Sequence, residues 1–211
     1  MVTDPAIVPT RREARREARH DAIVEAAAAS FLGHGYAATT MSAIAATLGG
    51  SKGTLWSYFA SKEVLFGAVI DRATLDFRRQ LQAILAPGDD LEATLLRFCR
   101  EYLNKITSPD AIALHRLVVS ESKRFPEVGR TFYERAPALV HTLLATYLAE
   151  EMDRGLLCRA DPRVAARQLT ALCQAGSHML ILIGQLDGAT PERVGSDAGS
   201  AVATFLRAYA P

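Results

Sequence analysis

Apolar residues recur along this chain at helical spacing. Ile23, Ala27 and Phe31 fall every fourth position, the repeat that stacks side chains on one face of an α-helix. That pattern predicts a helix from about Arg12 to Leu32, ended by Gly33 and Gly35. Thr40 reads as an N-cap for a short helix over 41–48 that turns Ile44, Ala45 and Leu48 inward. Gly49 breaks it, Ser51 can cap another helix through Phe59, and Ser61 can cap a long one reaching about Leu85, before Pro87-Gly88. Asp90 opens a helix to about Ile106. Ser108-Pro109, Asp161-Pro162 and Thr190-Pro191 each set a capping side chain before a proline suited to the first helical position. They predict helices over about 110–124, 162–184 and 191–209. Residues 127–154 read as helical with a break near Pro137. No hairpin signature separates alternating apolar runs, and no internal repeat is found. The expectation is an all-α protein of about nine helices. Its plan is a disordered lead over 1–11, a small N-terminal unit over 12–66 and a larger C-terminal bundle over 67–211.

Composition strengthens this reading. The chain of 211 residues holds 36 Ala and 25 Leu against 12 Val and 9 Ile, and Ala and Leu lose little freedom in a helix while β-branched residues favour strands. The longest purely apolar run, Met179 to Ile183, is far short of the roughly 20 residues that span a bilayer. The first 30 residues contain no apolar segment of signal-peptide type. Cys99, Cys158 and Cys173 are odd in number and far apart, so a reducing cytoplasm is expected, with Cys99 and Cys173 as small buried hydrophobes. The net charge of +1 hides an asymmetry: residues 11–20 carry five Arg and two Glu. Lys52 and Lys62 also stand in acid-poor surroundings. Local basic charge at one end of a neutral body is the footprint of a polyanion partner.

The segment from Thr40 to Phe59 carries the most specific signal. It reads as helix, tight turn, helix: Ala45 is small where a second helix must cross, and Gly49 can take the positive φ that the turn requires. Ile44, Leu48, Leu55 and Phe59 form the seam between the two helices. The outward residues of the second helix are then Ser51, Lys52, Thr54, Trp56, Ser57 and Tyr58, a face with hydroxyls, an ammonium and two aromatics but no acid. Such a face suits the major groove of DNA and the phosphates at its rims.

Thr40-Met41-x-x-Ile44-Ala45 through Gly49-x-Ser51-Lys52-Gly53-Thr54-Leu55-Trp56-x-Tyr58-Phe59-x-Ser61-Lys62-Glu63-x-Leu65 resembles the helix-turn-helix of the TetR/AcrR family of bacterial transcriptional regulators. The resemblance covers about residues 17–66. It implies a three-helix DNA-binding unit, a long fourth helix, a variable ligand-binding domain and a homodimer through the last two helices. It would put Thr40, Ser51, Tyr58 and Lys62 near phosphates, and Lys52, Thr54 and Trp56 near bases or the groove wall. Gly50 departs from the family pattern, which usually has an apolar residue there, and Trp56 stands where Tyr is commoner. Further on, Leu114 to Glu127 is similar to one AcrR-type C-terminal subgroup, the AefR-like one.

Two enzyme-like motifs are chance matches. Gly49-Gly50-Ser51-Lys52-Gly53 has the spacing of a nucleophile elbow, and Gly33-His34-Gly35-Tyr36-Ala37-Ala38 that of a degenerate dinucleotide fingerprint. Both chemistries need a preceding strand, and here helices precede them. His115, His141 and His178 lie on three helices of the bundle without a supporting carboxylate pair, so neither a metal nor a cofactor is expected. Phe98, Tyr102, Leu114, Leu117, Phe125, Tyr133, His141 and His178 are candidate lining for a largely apolar effector pocket. Leu172, Gly176, Met179, Ile183, Gly195, Ala198, Gly199, Val202 and Phe205 are the candidate dimer interface.

The reading is therefore a homodimeric, effector-released repressor that binds a pseudo-palindromic operator and touches no membrane. An activator or partner-controlled regulator is the alternative, and an all-α enzyme or carrier with a vestigial DNA-binding unit is the more distant one.

Overall fold

In a computed structural model of the chain, residues 10–49, 52–86, 88 and 90–211 are described, with the Lys52 side chain excepted. Every regular element among them is a helix, and eleven are distinguished. The chain divides into two compact units, Met1–Arg72 and Ala73–Pro211. The expected lead over 1–11 falls mostly outside the described residues, as do the departure at Gly50 and the expected cap at Ser51.

The N-terminal unit contains α1 (Arg11–Ala38), α2 (Met41–Thr47), α3 (Lys52–Tyr58) and the first turns of α4 (Lys62–Ile84). Helix α1 starts one residue before the expected position, on a reciprocal capping box. Thr10 Oγ1 accepts from the Glu13 amide at 3.3 Å, and the Glu13 carboxylate accepts from the Thr10 amide at 2.7 Å. Gly33 stays helical, and only Gly35, at φ 83°, breaks the α1 geometry. The core beneath is an aromatic trio. Phe66 meets the rings of Phe31 and Tyr36 edge-on at 5.2 and 5.4 Å, and Ile23, Ala27, Ile44, Leu65 and Ile70 are buried in the same unit.

The C-terminal unit holds α5 (Leu91–Ile106), α6 (Pro109–Glu121), α7 (Pro126–Arg135), α8 (Pro137–Asp153), α9 (Pro162–Gln174), α10 (Ser177–Leu182) and α11 (Pro191–Tyr209). Asp90, Ser108, Asp161 and Thr190 cap α5, α6, α9 and α11 as expected, three of them just before a proline. The expected helix over 162–184 is two helices. The chain turns at Gly176 (φ −92°, ψ −125°), and the Asp197 carboxylate of α11 accepts from the Ser177 amide at 2.9 Å, starting α10 afresh.

The bundle core is built by α5, α8, α9 and α11 around Phe98, Leu103, Leu144, Leu148, Leu169 and Phe205. Ala198, Val202 and Phe205 were expected to face a second copy of the chain. Within one chain they are buried against α5 and α9, so that expectation is corrected. An apolar stripe on a last helix fits either environment, and here the chain's own core takes it. Gly176 is also turned inward, because a Cβ there would stand 2.5 Å from the Asp197 carboxylate.

Candidate nucleic-acid and effector sites

Helices α2 and α3 meet through the expected seam. Ile44, Leu55 and Phe59 are buried and Leu48 is half-buried. Thr40 caps α2, its hydroxyl accepting from the Ala43 amide at 3.1 Å. Gly49 takes φ 62° in the turn, a conformation costly for any residue with a Cβ.

With the seam buried, the opposite face of α3 is left to solvent. Thr54 and Ser57 are exposed, Trp56 is 50% exposed and Tyr58 is half-buried. The Ser57 hydroxyl donates to the Thr54 carbonyl at 2.7 Å. No carboxylate belongs to α3. Ser51 and the Lys52 side chain lie outside the described residues. Thr40 is exposed at the start of α2.

Lys62 was expected near a phosphate, and the contacts seen for it lie within the chain. Its ammonium donates inward to the carbonyls of Tyr36 at 2.8 Å and Thr39 at 3.2 Å, and sits 4.2 Å above the Tyr36 ring. Thr39 is itself buried and donates its hydroxyl to the Gly35 carbonyl at 2.8 Å. Lys62 thus fastens the bend at Gly35 to the start of α4, and its charge is directed into the protein.

Two arginines that the motif did not single out join this region. Arg19 donates from both terminal nitrogens to the Leu48 carbonyl at 3.4–3.5 Å, and the Arg16 guanidinium stands 6.0 Å from the centroid of the Tyr58 ring. The run of arginine is visible in the sequence as charge. Which of them would meet α2 and α3 depends on the packing of α1.

In the C-terminal unit the expected effector residues separate into groups. Phe98 and Tyr102 stack at 6.0 Å inside the core. The Tyr102 hydroxyl accepts from Gln174 at 2.6 Å, and burial pushes its pKa up to about 12. Leu117 is buried, Leu114 and Phe125 are half-buried, and Tyr133 is exposed. His141 pairs with the Thr170 hydroxyl at 3.1 Å.

His178 is different. It is 3% exposed, stacks on His115 at 5.4 Å, and its Nδ1 is buried without a hydrogen-bond partner among the described residues. Burial, and then the neighbouring His115, lower its pKa to about 4, so both rings are neutral at pH 7. His115 lies 6.2 Å from the ring of Phe132, a neighbour that sequence spacing did not reveal. Arg116 anchors α10 beside this cluster by donating to the carbonyls of Ile181 and Leu182 at 2.7 and 2.9 Å. Two of the three bundle histidines therefore converge and the third does not. Among the described residues no group of three or more His, Cys, Asp or Glu side chains could hold a metal ion.

Residues 23–69 match the family of bacterial regulatory proteins, tetR family, and residues 93–211 match the AefR-like transcriptional repressor C-terminal domain. The chain belongs to the TetR family of transcriptional regulators. The flavonoid-responsive regulator FrrA is 34% identical, aligned over 92% of this chain and 98% of its own, with a TM-score of 0.77. A TetR-family regulator from Mesorhizobium loti is 27% identical over 93% of this chain and 99% of its own, with a TM-score of 0.80. The transcriptional repressor ComR of Escherichia coli is 27% identical over 85% of each chain. No helix among the described residues is long and apolar enough to cross a membrane.

Proposed function

We propose that this TetR-family regulator is a homodimeric repressor, released from a pseudo-palindromic operator by a small amphipathic effector. The observation that carries the DNA-binding part is the acid-free outer face of α3, held over the buried seam of Ile44, Leu55 and Phe59. Thr54 is short and carries both a methyl and a hydroxyl, so it suits a base edge or a thymine methyl. Thr40, Ser57 and Tyr58, with Ser51 and Lys52 of the motif, suit phosphates and the groove wall.

Dimerisation is supported by the face that one chain leaves uncovered. Met179, Leu180 and Ile183 are exposed, and a Cβ at Gly195 or Gly199 would meet nothing within 4 Å. The proposed interface keeps Leu172, Met179, Ile183, Gly195 and Gly199 and drops the side chains spent on the core. Gly199→Glu then weakens the dimer, because a charge enters a close helix contact. A monomeric wild-type mass at micromolar concentration by sedimentation would refute the interface.

The buried, unpartnered Nδ1 of His178 beside an aromatic neighbour supports an effector with a flat apolar body and a hydrogen-bonding group. FrrA, a relative of this chain, is described as flavonoid-responsive, so flat hydroxylated aromatics are the first class to screen. Helix α4 contributes residues to both units, which gives effector binding a covalent route to the recognition helices. Half-sites of helix-turn-helix dimers are about 34–36 Å apart, so a change of a few ångströms puts two heads out of register. The effector acts by favouring the state that cannot hold both half-sites. A gel shift with DNA from upstream of the protein's own gene tests the reading. A retarded band that a flat hydroxylated aromatic dissolves is the expected result, and failure to retard any such fragment would refute DNA binding.

A further inference from the structure

The first three turns of α1 separate their charges. At about 100° per residue, Arg11, Arg12, Arg15, Arg16 and Arg19 fall within an arc of about 140°, while Glu13, Glu17 and Asp21 occupy about 80° on the opposite side. The acids are largely engaged there: Glu13 in the Thr10 capping box, Asp21 with Arg72 at 3.7 Å. Among the described residues none of Arg11, Arg12, Arg15 and Arg16 forms an ion pair, and all four are exposed. Like charges four apart on a helix repel, so Arg11–Arg15, Arg12–Arg16 and Arg15–Arg19 weaken α1, and no carboxylate pairs with them to offset it.

The arginine arc is aimed at α3. An open groove of about 1220 Å³ is lined by all five arginines together with Thr54 and Tyr58 of the recognition helix. From Arg11 to Arg19 the helix rises about 12 Å, and one DNA strand carries a charge for about every 3.4 Å of duplex axis, so the arc is long enough to meet more than one phosphate. These residues precede the part of the chain that matches the family's DNA-binding domain, which starts at residue 23.

We propose that the arginine face of α1 is a second nucleic-acid contact, which grips the phosphodiester strand bordering the half-site that α3 reads. The inference rests on the DNA-binding reading above and extends it. A guanidinium holds a phosphate through two parallel N–H donors, geometry that suits a row of successive phosphates. The contact carries no base information. It lengthens the footprint, adds counterion release and orients α3 in the groove. Arg19, tied to the Leu48 carbonyl, keeps the arc in register with the α2–α3 turn.

The test replaces Arg11, Arg12, Arg15 and Arg16 by Gln, which retains helix propensity close to that of Arg. The probe is a duplex that the wild-type protein recovers from a randomised pool, with affinity measured by fluorescence anisotropy at several salt concentrations. The slope of log affinity against log salt should fall in magnitude by about 0.9 for each phosphate no longer neutralised, hence by about 2–4 per protomer, with base preference unchanged. Trimming the duplex outside the half-sites should weaken the wild type more than the variant. Arg12→Gln and Arg15→Gln alone should each lower the slope by about 0.9 per protomer, which keeps the test valid if the fourfold variant does not fold. A wild-type slope and trimming response in variants that still bind the duplex would overturn the arginine contact and leave the recognition helix standing. Recovery of no duplex by the wild type would overturn the DNA-binding reading and this inference with it.

Discussion

Replacing Lys62 by Ala separates two roles that a lysine at the start of α4 could have. In the structure its ammonium holds the carbonyls of Tyr36 and Thr39 at 2.8 and 3.2 Å and lies 4.2 Å over the Tyr36 ring. A hydrogen bond to a charged group contributes about 1.5–3 kcal/mol, and a partly exposed cation–π contact about 0.5–1 kcal/mol. The two bonds share one half-buried ammonium, so the whole fastening should stabilise the N-terminal unit by about 2–3 kcal/mol. Trp56 is the only tryptophan in the chain and belongs to that unit, so its fluorescence during urea titration reports the unit's unfolding selectively. Lys62→Ala should move the midpoint to lower urea by that free energy. Lys62→Met, which keeps the apolar stem over Tyr36, should recover a minor part of it. The salt dependence of DNA binding should stay at its wild-type slope under conditions where the variant is folded. A variant that unfolds like the wild type while its slope falls by about 0.9 per protomer would show that the charge serves a phosphate and the inward geometry does not matter.

Other expectations follow from the C-terminal unit. Gly176→Ala should destabilise by about 1–3 kcal/mol, because its Cβ collides with the Asp197 carboxylate that starts α10, and calorimetry will show whether Tm falls accordingly. Arg154→Ala strips the buried Glu151 of a two-point partner at 2.8 and 3.0 Å. It should cost about 2 kcal/mol, below the range for fully buried pairs because Arg154 is half exposed, and Glu151→Gln in the same background should recover part of that loss. His178 has a folded pKa of about 4 against an ordinary value near 6.5, so the unfolded chain binds the extra proton first as pH falls. Its contribution is present above pH 6.5 and is lost down to pH 4, by as much as about 3 kcal/mol. Denaturation at several pH values should therefore show a gap between the wild type and His178→Phe that changes across that window, and a constant gap would refute the shift.

What is legible in the sequence is mostly local. Thr40, Ser108, Asp161 and Thr190 cap the helices they were expected to cap, because a capping hydroxyl or carboxylate needs only the amides two or three residues ahead. The seam of Ile44, Leu55 and Phe59 follows from periodicity for the same reason. What is not legible depends on a distant part of the chain. The break at Gly176 is made by Asp197 from another helix, and the inward turn of Lys62 is set by carbonyls at 36 and 39. The stripe of Ala198, Val202 and Phe205 points to a partner in the sequence and to the core in the structure, because an apolar face says that it is covered, not by what. Among the histidines, only three-dimensional packing distinguishes the stacked pair His115 and His178 from His141, which finds Thr170.

Gly195 and Gly199 lie in the interior of α11 with negative φ and open space where a Cβ would go. Alanine at each would strengthen the helix by about 1 kcal/mol, so the stability of a single chain gives no reason to keep them. Bacterial cells that hold several related regulators need each to pair with itself. A bare strip of backbone is a surface that one codon change can reshape without disturbing the core beneath it. If the strip lies in the interface proposed above, duplicated copies of such a gene could lose the ability to pair with one another before they diverge in anything else.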